Sequence, residues 1–426
     1  MLREPGDETA LLVGAFERAL RAAAPAGRLS AALDDVDDRG PALVVGAGKA
    51  AAAMAAAFGA LWSAPVRGMV VTRYGHGLAP GEDAGGIDVV EAGHPSPDAA
   101  SLAAGARLLE LARGIRPGET LVSLISGGGS SLASAPLGPV TFEQKRDAAG
   151  FLIRAGADIR EINCVRKHLS GLKGGRLAAA AHPARVLTFA ISDVPGDDPA
   201  DIASGPTVPD RTTQRQALEI LRRYGYPRLD ALRPVLEDSR FETPKPGDPA
   251  FARDSVSVIA SAATALDAAA GFLEEQGFAV HRLGDDLADE AQALGREHAR
   301  LAMEAHRQGG NVAILSGGET RVVLGEDEGR GGRNLEYLAG LALELDGCPG
   351  IFALAADTDG IDGNGDHAGG IVVPGLLDRG RALGLSLEAL LARHDSYRFF
   401  EACESLLRTG PTRTNVNDFR LIVCRP

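Results

Sequence analysis

The chain has few of the residues that announce specialised chemistry. Its 426 residues include four cysteines and one tryptophan, and aromatics make up only 4%. Cys164, Cys348, Cys403 and Cys424 form no C-x-x-C pair, and no histidine stands at zinc-ligand spacing from any of them. That pattern argues against a cysteine zinc site and reads as scattered thiols in a reducing cytoplasm. With aromatics scarce, the cores must be built from Ala, Val, Leu and Ile. No stretch reaches the roughly 18 uninterrupted apolar residues of a membrane helix, and the Ala-rich run Ala50–Ala60 reads as a packed helix. Met1-Leu-Arg-Glu-Pro-Gly-Asp-Glu lacks the apolar centre of a signal peptide, so the expected location is cytoplasmic. Positive charge is also short. Lys and Arg number 44 against 57 Asp and Glu, a net charge of −13. That balance argues against a nucleic-acid partner. An anionic substrate would need a local basic site to overcome the overall field.

Glycine, by contrast, is abundant. The 54 glycines fall largely in short clusters, which points to tight turns and close approach of backbone to ligands. At roughly 100–200 residues per domain, a chain of this length predicts two domains. Glu8–Leu20 shows helical apolar spacing. Buried strands are predicted at Pro41–Gly46, Gly68–Arg73, Ile87–Ala92, Thr120–Ile125 and Val186–Ile191, with a helix over Asp98–Arg113. This alternation predicts a mostly parallel, doubly wound sheet. Charge and proline rise between Pro206 and Pro249, which reads as a helical connection and linker. A new strand–helix series then starts at Ser255–Ala260 and continues through Asn311–Leu315, Gly350–Ala356 and Asp418–Val423. The predicted domains are 1–240 and 250–426, with the last strand as a candidate to return to the first.

One motif recurs: a strand ends, a Gly-rich turn follows and a helix begins. It is predicted at Val45-Gly-Ala-Gly-Lys49, Ile125-Ser-Gly-Gly-Gly-Ser-Ser131, Leu315-Ser-Gly-Gly-Glu319 and Ala356-Asp-Thr-Asp-Gly360. Such turns aim backbone N–H groups at an anion from the positive end of a helix. Gly46-Ala-Gly48-Lys-Ala-Ala51 fits the dinucleotide pattern G-x-G-x-x-G/A. The strand about 20 residues on should then end in an acid that holds a ribose hydroxyl, but it ends in Arg73. A 2′-phosphate on Arg73 keeps an NADP enzyme open. The turn is not a Walker A loop, because Leu43 takes the place of its first Gly and Ala50 that of its Ser/Thr. Lys49 beside a helix start is unfavourable unless it meets an anion; the alternative is a solvated lysine. Ser126, Gly127, Gly128, Gly129, Ser130 and Ser131 form the most phosphate-like loop, with a plain flexible turn as the alternative.

Asp193 follows a strand, where a general base or metal ligand would be placed. Asp357-Thr-Asp359-Gly-Ile-Asp362 resembles a calcium loop, but Ala368 takes the twelfth position and an EF-hand is rejected. Carboxylates near nucleotide phosphates suggest Mg²⁺ instead. Gly329-Arg-Gly-Gly-Arg333-Asn334 opens a helix with an Arg suited to bidentate contact with carboxylate or phosphate, or to a solvated cap. The basic segment Arg166–Arg176 could line an anion site or be an amphipathic face. His76, His94 and His367 read as structural or surface residues.

In this order, these blocks resemble the glycerate 2-kinases of the MOFRL type, a family sometimes labelled hydroxypyruvate reductase. The resemblance also covers Gly93-His-Pro-Ser-Pro-Asp, Ile162-Asn-Cys-Val-Arg-Lys-His-Leu-Ser, Lys173-Gly-Gly-Arg, Ile202-Ala-Ser-Gly-Pro and Gly410-Pro-Thr-Arg-Thr-Asn-Val-Asn-Asp. Ser261 departs from it, standing where the family usually carries Asn. The resemblance implies an α/β fold: an N-terminal Rossmann-like doubly wound domain, a smaller C-terminal MOFRL-type α/β domain, and an active site in the cleft between them. It implies transfer of phosphate from ATP to D-glycerate, giving 2-phosphoglycerate. Lys49, Asp193 and Arg333 are then the catalytic candidates. Gly46, Gly48, Ser126–Ser131, Arg166, Glu319 and Asn334 would bind nucleotide or substrate, and Asp357, Asp359 and Asp362 would hold Mg²⁺. No nucleic-acid or membrane partner is expected, and a homodimer is left open. The rival readings are an NADPH-dependent hydroxypyruvate reductase and a non-catalytic small-anion-binding regulator.

Overall fold

The computed structural model describes residues 7–323 and 329–426. They divide into a first unit, Pro25–Ile259, and a second unit formed by the residues up to Ala24 together with Ala260–Pro426. Each unit is built on one six-stranded sheet.

The first sheet contains β1 (Ala42–Ala47), β2 (Val66–Arg73), β3 (Ile87–Ala92), β4 (Thr120–Ile125), β5 (Val186–Ile191) and β6 (Ser255–Ala260). Their spatial order is β3-β2-β1-β4-β5-β6, and β1 to β5 are parallel. β1 and β5 are buried along their whole length. That is why they read as continuous apolar runs rather than as alternating ones. The helix Ala99–Arg113 starts at a capping box, in which Asp98 accepts from the Ser101 N–H at 2.9 Å, and stops at Gly114. It buries Ala104, Leu108 and Ala112 beside Leu43, Val45 and Leu121 of the sheet. Each such Leu or Val contributes roughly 1.5–3 kcal/mol by leaving water.

The stretch expected to be a linker has a core of its own. The helix Gln214–Arg223 packs on the helix Ile159–His168, and Ala148, Leu152, Val165, Ala217, Leu221 and Val235 form one apolar cluster. Charge on the outer faces of these short helices masks that core in the sequence. Ser255–Ala260, expected to open the second domain, instead completes the first sheet.

The second sheet contains β7 (Ala279–Gly284), β8 (Val312–Ser316), β9 (Ile351–Asp357), β10 (Gly369–Val372), β11 (Leu406–Leu407) and β12 (Asp418–Cys424). Their order is β11-β10-β9-β12-β8-β7. Only β7 and β8 pair in parallel; β12 runs antiparallel to both β8 and β9. The last strand is therefore central to the second unit and does not return to the first. The opening helix, Asp7–Ala22, also belongs here. It packs on the helix Ala262–Glu275, with Arg18 over the Phe272 ring and Phe16 against Phe419. Ser261 serves as N-cap of that second helix. No described helix is long and apolar enough to cross a membrane.

Candidate functional site

In the first sheet the strand order reverses between β1 and β4, the position where open α/β sheets bind ligands beyond their strand ends. Two of the predicted turns meet there. The Lys49 N–H donates to Gly127 O at 2.8 Å, and the Ser126 N–H donates to Ala47 O at 3.1 Å. Ser126 Oγ accepts from the Ala50 N–H at 3.0 Å. Gly46 and Gly48 are required by this closeness. A Cβ on Gly46 would lie 2.4 Å from Leu124 O, and one on Gly48 would lie 2.0 Å from Ser126 Oγ.

The second turn leads into a four-residue helix, Gly129–Leu132. Gly128 is left-handed (φ 80°), and a Cβ there would lie 2.9 Å from His94 Nε2 and 3.4 Å from Lys49 Cγ. His94 and Lys49 thus flank the loop. The sequence had suggested only a structural or surface role for His94. Asp193 lies just past β5, half-buried, on the strand next to β4.

The Ile202–Pro206 motif supports the loop from behind. Ala203 and Ser204 both have positive φ. Ser204 Oγ sits 2.6 Å from Ser130 Oγ and donates to Asn163 Oδ1 at 3.1 Å. Asn163 Nδ2 in turn donates to Asp201. The basic segment divides into two uses. Lys167 pairs with Asp210 at 3.5 Å, and His168 bonds Glu242 at 2.9 Å, so both are structural. Arg166 and Lys173 instead line a cavity of about 160 Å³ beside Ser130 and Ser131. Lys145 lines it too and escaped the sequence reading. Its signal was helical spacing: Lys145, Ala148 and Leu152 form the buried face of the helix Phe142–Arg154.

The second unit holds the other candidates. Arg333 begins the helix Arg333–Leu345. Its Nε donates to Asp418 Oδ1 at 2.9 Å, Nη2 donates to Asp357 Oδ2 at 2.6 Å, and Nη1 lies 3.2 Å from Glu319 Oε1. Burial opposes its charge, but Asp418, Asp357 and Glu319 outweigh burial and hold its pKa well above the ordinary value. Asp418 also accepts from Arg420 at 2.8 Å. Asn334 donates to Asp418 and Asp362. Arg333, Glu336, Asn364 and His394 border a cavity of about 530 Å³.

The three expected metal ligands do not converge as a cage. Asp362 accepts from the Asn334 and Leu335 N–H groups, both at 3.1 Å, one with each oxygen. It thereby caps the helix with both of its oxygens. Asp357 Oδ1 accepts from the Asp359 N–H, and Asp359 Oδ1 from the Ile361 N–H. Among the described residues, no group of three His, Cys, Asp or Glu side chains is arranged to hold a metal.

The third and fourth turns also differ from expectation, because no helix follows either directly. Gly317 O accepts from Arg420 and Gly318 O from the Asp418 N–H. A Cβ on Gly360 would lie 2.1 Å from Gly410 O. These glycines allow tight backbone packing rather than opening a helix toward an anion.

Fold and site together define a two-unit α/β protein in which two glycine-rich turns meet at the switch point of a Rossmann-ordered sheet. Residues 11–237 match a family described as a domain of unknown function (DUF4147), and residues 312–418 match the MOFRL family. A D-glycerate 2-kinase of Thermotoga maritima is 38% identical over 382 residues, spanning 88% of this chain and 89% of that protein. An Agrobacterium vitis protein provisionally named hydroxypyruvate reductase is 49% identical over 391 residues, spanning 90% of this chain and 87% of that protein. The crystal structure of a glycerate kinase from Thermotoga maritima superposes with a TM-score of 0.88 at 35% identity, covering 99% of this chain and 100% of that one. The chain belongs to the MOFRL-type glycerate 2-kinase family.

Proposed function

We propose that the protein is an ATP-dependent kinase that phosphorylates the 2-hydroxyl of D-glycerate, producing 2-phosphoglycerate and ADP. The observation that carries this reading is the meeting of the Lys49 turn with the Ser126–Ser131 loop at the β1/β4 reversal. Phosphoryl transfer asks chiefly for positioning and charge neutralisation, and this surface offers both. In the proposed reaction the loop N–H groups and hydroxyls hold phosphate oxygens, and Lys49 offsets charge on the transferred group. Asp193 takes the proton of the 2-hydroxyl as its oxygen bonds to phosphorus and the bond to the ADP oxygen breaks.

In the second unit, Arg333 is proposed to meet a substrate or nucleotide anion. Its contact to Glu319 is the exposed one: the Glu319 side chain is 58% exposed, whereas those of Asp357 and Asp418 are buried. A substrate or nucleotide anion could displace Glu319 and leave the two buried pairs intact. Magnesium is proposed to travel with the nucleotide. It keeps much of its water and takes few protein ligands, which leaves Asp357 and Asp359 to meet it through water. When bound, it would offset phosphate charge.

The reductase name meets a specific obstacle. β2 ends in Arg73, without the carboxylate that a dinucleotide ribose requires. Purified protein given D-glycerate, ATP and Mg²⁺ should release ADP in proportion to glycerate. A parallel sample given hydroxypyruvate and NADPH should keep its absorbance. ADP release independent of glycerate, or NADPH consumption in its place, overturns the proposal.

A further inference from the structure

The cavity beside the glycine-rich loop has an unusual charge arrangement. It is lined by Lys145, Arg166 and Lys173 together with Ser130, Ser131 and Ser134. Lys145 is 7% exposed and Lys173 1% exposed. Lys145 Nζ donates to Ser134 Oγ at 2.9 Å, and Lys173 Nζ to Ala203 O at 3.3 Å. Among the described residues, no carboxylate pairs with any of the three cations. Elsewhere the chain does supply such partners: Lys167, one residue from Arg166, has Asp210.

Burying like charges together without a counter-ion is costly. Burial, and then Arg166, pushes Lys145 down to about 7. Burial, and then Lys145 and Arg166, pushes Lys173 well below the ordinary lysine value. An arrangement of this kind in a cleft marks a functional site, because the missing negative charge is one that a ligand can bring.

We infer that this cavity is a binding site for a phosphate oxyanion, held by Lys145, Arg166 and Lys173 and by the hydroxyls of Ser130, Ser131 and Ser134. Nothing in the kinase reading assigns Lys145 or Lys173. The inference rests on that reading for the identity of the ligand, which is the phosphate of the phosphorylated three-carbon acid or of the nucleotide tail. It does not rest on it for the site itself. The strained turn at Ala203 and Ser204 acquires a purpose here. Ala203 O steadies Lys173, and Ser204 Oγ steadies Ser130.

The test is a binding measurement that needs no turnover. The melting temperature of the full chain is followed against inorganic phosphate, 2-phosphoglycerate, tripolyphosphate and ADP, and affinities are taken by calorimetry. Each phosphate compound should raise the melting temperature of the wild type. In Lys145→Met and Lys173→Met the affinity for the preferred anion should fall at least ten-fold. At pH 6, where Lys145 is charged, the anion-free melting temperature of Lys145→Met should hold or rise, because an uncompensated buried charge has been removed. A merely structural lysine would lower it. Preference for 2-phosphoglycerate over tripolyphosphate and ADP assigns the site to the acid, and the reverse assigns it to the nucleotide tail. Wild type indifferent to every phosphate compound, or variants that bind them as the wild type does, overturns the inference. Failure of glycerate-dependent ADP release with phosphate binding intact would overturn only the kinase reading.

Discussion

Arg333 Nε donates to both oxygens of Asp418, at 2.9 and 3.1 Å, and Asp418 is fully buried at the start of a central strand. The guanidinium therefore does structural work whatever else it does. Arg333→Ala would leave Asp418 and Asp357 facing one another with one cation fewer. Breaking a buried pair by removing one partner costs about 3–5 kcal/mol. Denaturant unfolding of Arg333→Ala should show a loss of that order, and Arg333→Lys an intermediate one. A loss under about 1 kcal/mol, of the kind an exposed pair gives, would mean that the arginine does not hold these carboxylates. Activity lost in Arg333→Ala can be ascribed to chemistry only after this measurement.

Much of the first unit was legible in its residues. Fully buried parallel strands betray themselves as apolar runs such as Val186–Ile191, and glycines that precede helices betray the turns beyond them. Two features were hidden for a physical reason. The membership of Asp7–Ala22 and Ser255–Ala260 depends on which distant face each packs against, and periodicity is silent on that. The charge arrangement was hidden too. Arg166 and Lys167 are neighbours in sequence, yet one lines a cavity and the other pairs with Asp210. In the second unit the acidic turn suggested a metal. Two of its carboxylates proved to hold Arg333 and a helix N-terminus, contacts made by a residue 24 positions away and by one 28 positions away.

Lys49 gives a direct test of chemistry against architecture. It is half-buried beside the loop, and the backbone at this turn is held by its own hydrogen bonds. Lys49→Ala should leave the melting temperature within a few degrees of the wild type. Removing a preorganised charge-stabilising group typically lowers kcat by about 10²–10³, and a fall of that size is expected here. Near-wild-type turnover in Lys49→Ala removes the lysine from the reaction.

Gly128 is where the loop conformation can be tested. Its φ of 80° disfavours any side chain, and its Cβ would lie 2.8 Å from the His94 ring. Gly128→Ala should lose about 1–2 kcal/mol from the backbone alone, with a further loss from the displaced imidazole. Combining it with His94→Ala should recover the second part and not the first. Equal stability in the single and double variants would show that His94 does not pack on the loop.

Lys145 makes anion binding a proton-linked event, and the sign follows from its environment. Its pKa is pushed to about 7 from 10.5, so near pH 8 most of the free protein carries it neutral. An oxyanion in the cavity favours the charged form and draws a proton in. Lys173, Arg166 and Arg146 line the same space and discourage that proton until the anion arrives, whereas Ser134 Oγ accepts from Lys145. Calorimetry with sulfate, an oxyanion that does not titrate in this range, at pH 8 in buffers of different ionisation enthalpy should show net proton uptake that shrinks toward pH 6, where Lys145 is already charged. Affinity should weaken as pH rises above 7. The anion-free protein should behave in the complementary way. Between about 7 and 10.5 the unfolded chain holds the Lys145 proton and the folded one does not, so this group makes stability rise with pH across that window. Lys145→Met should weaken both dependences together, with Lys173 keeping its own share. A variant that keeps the whole uptake would assign the proton to another group.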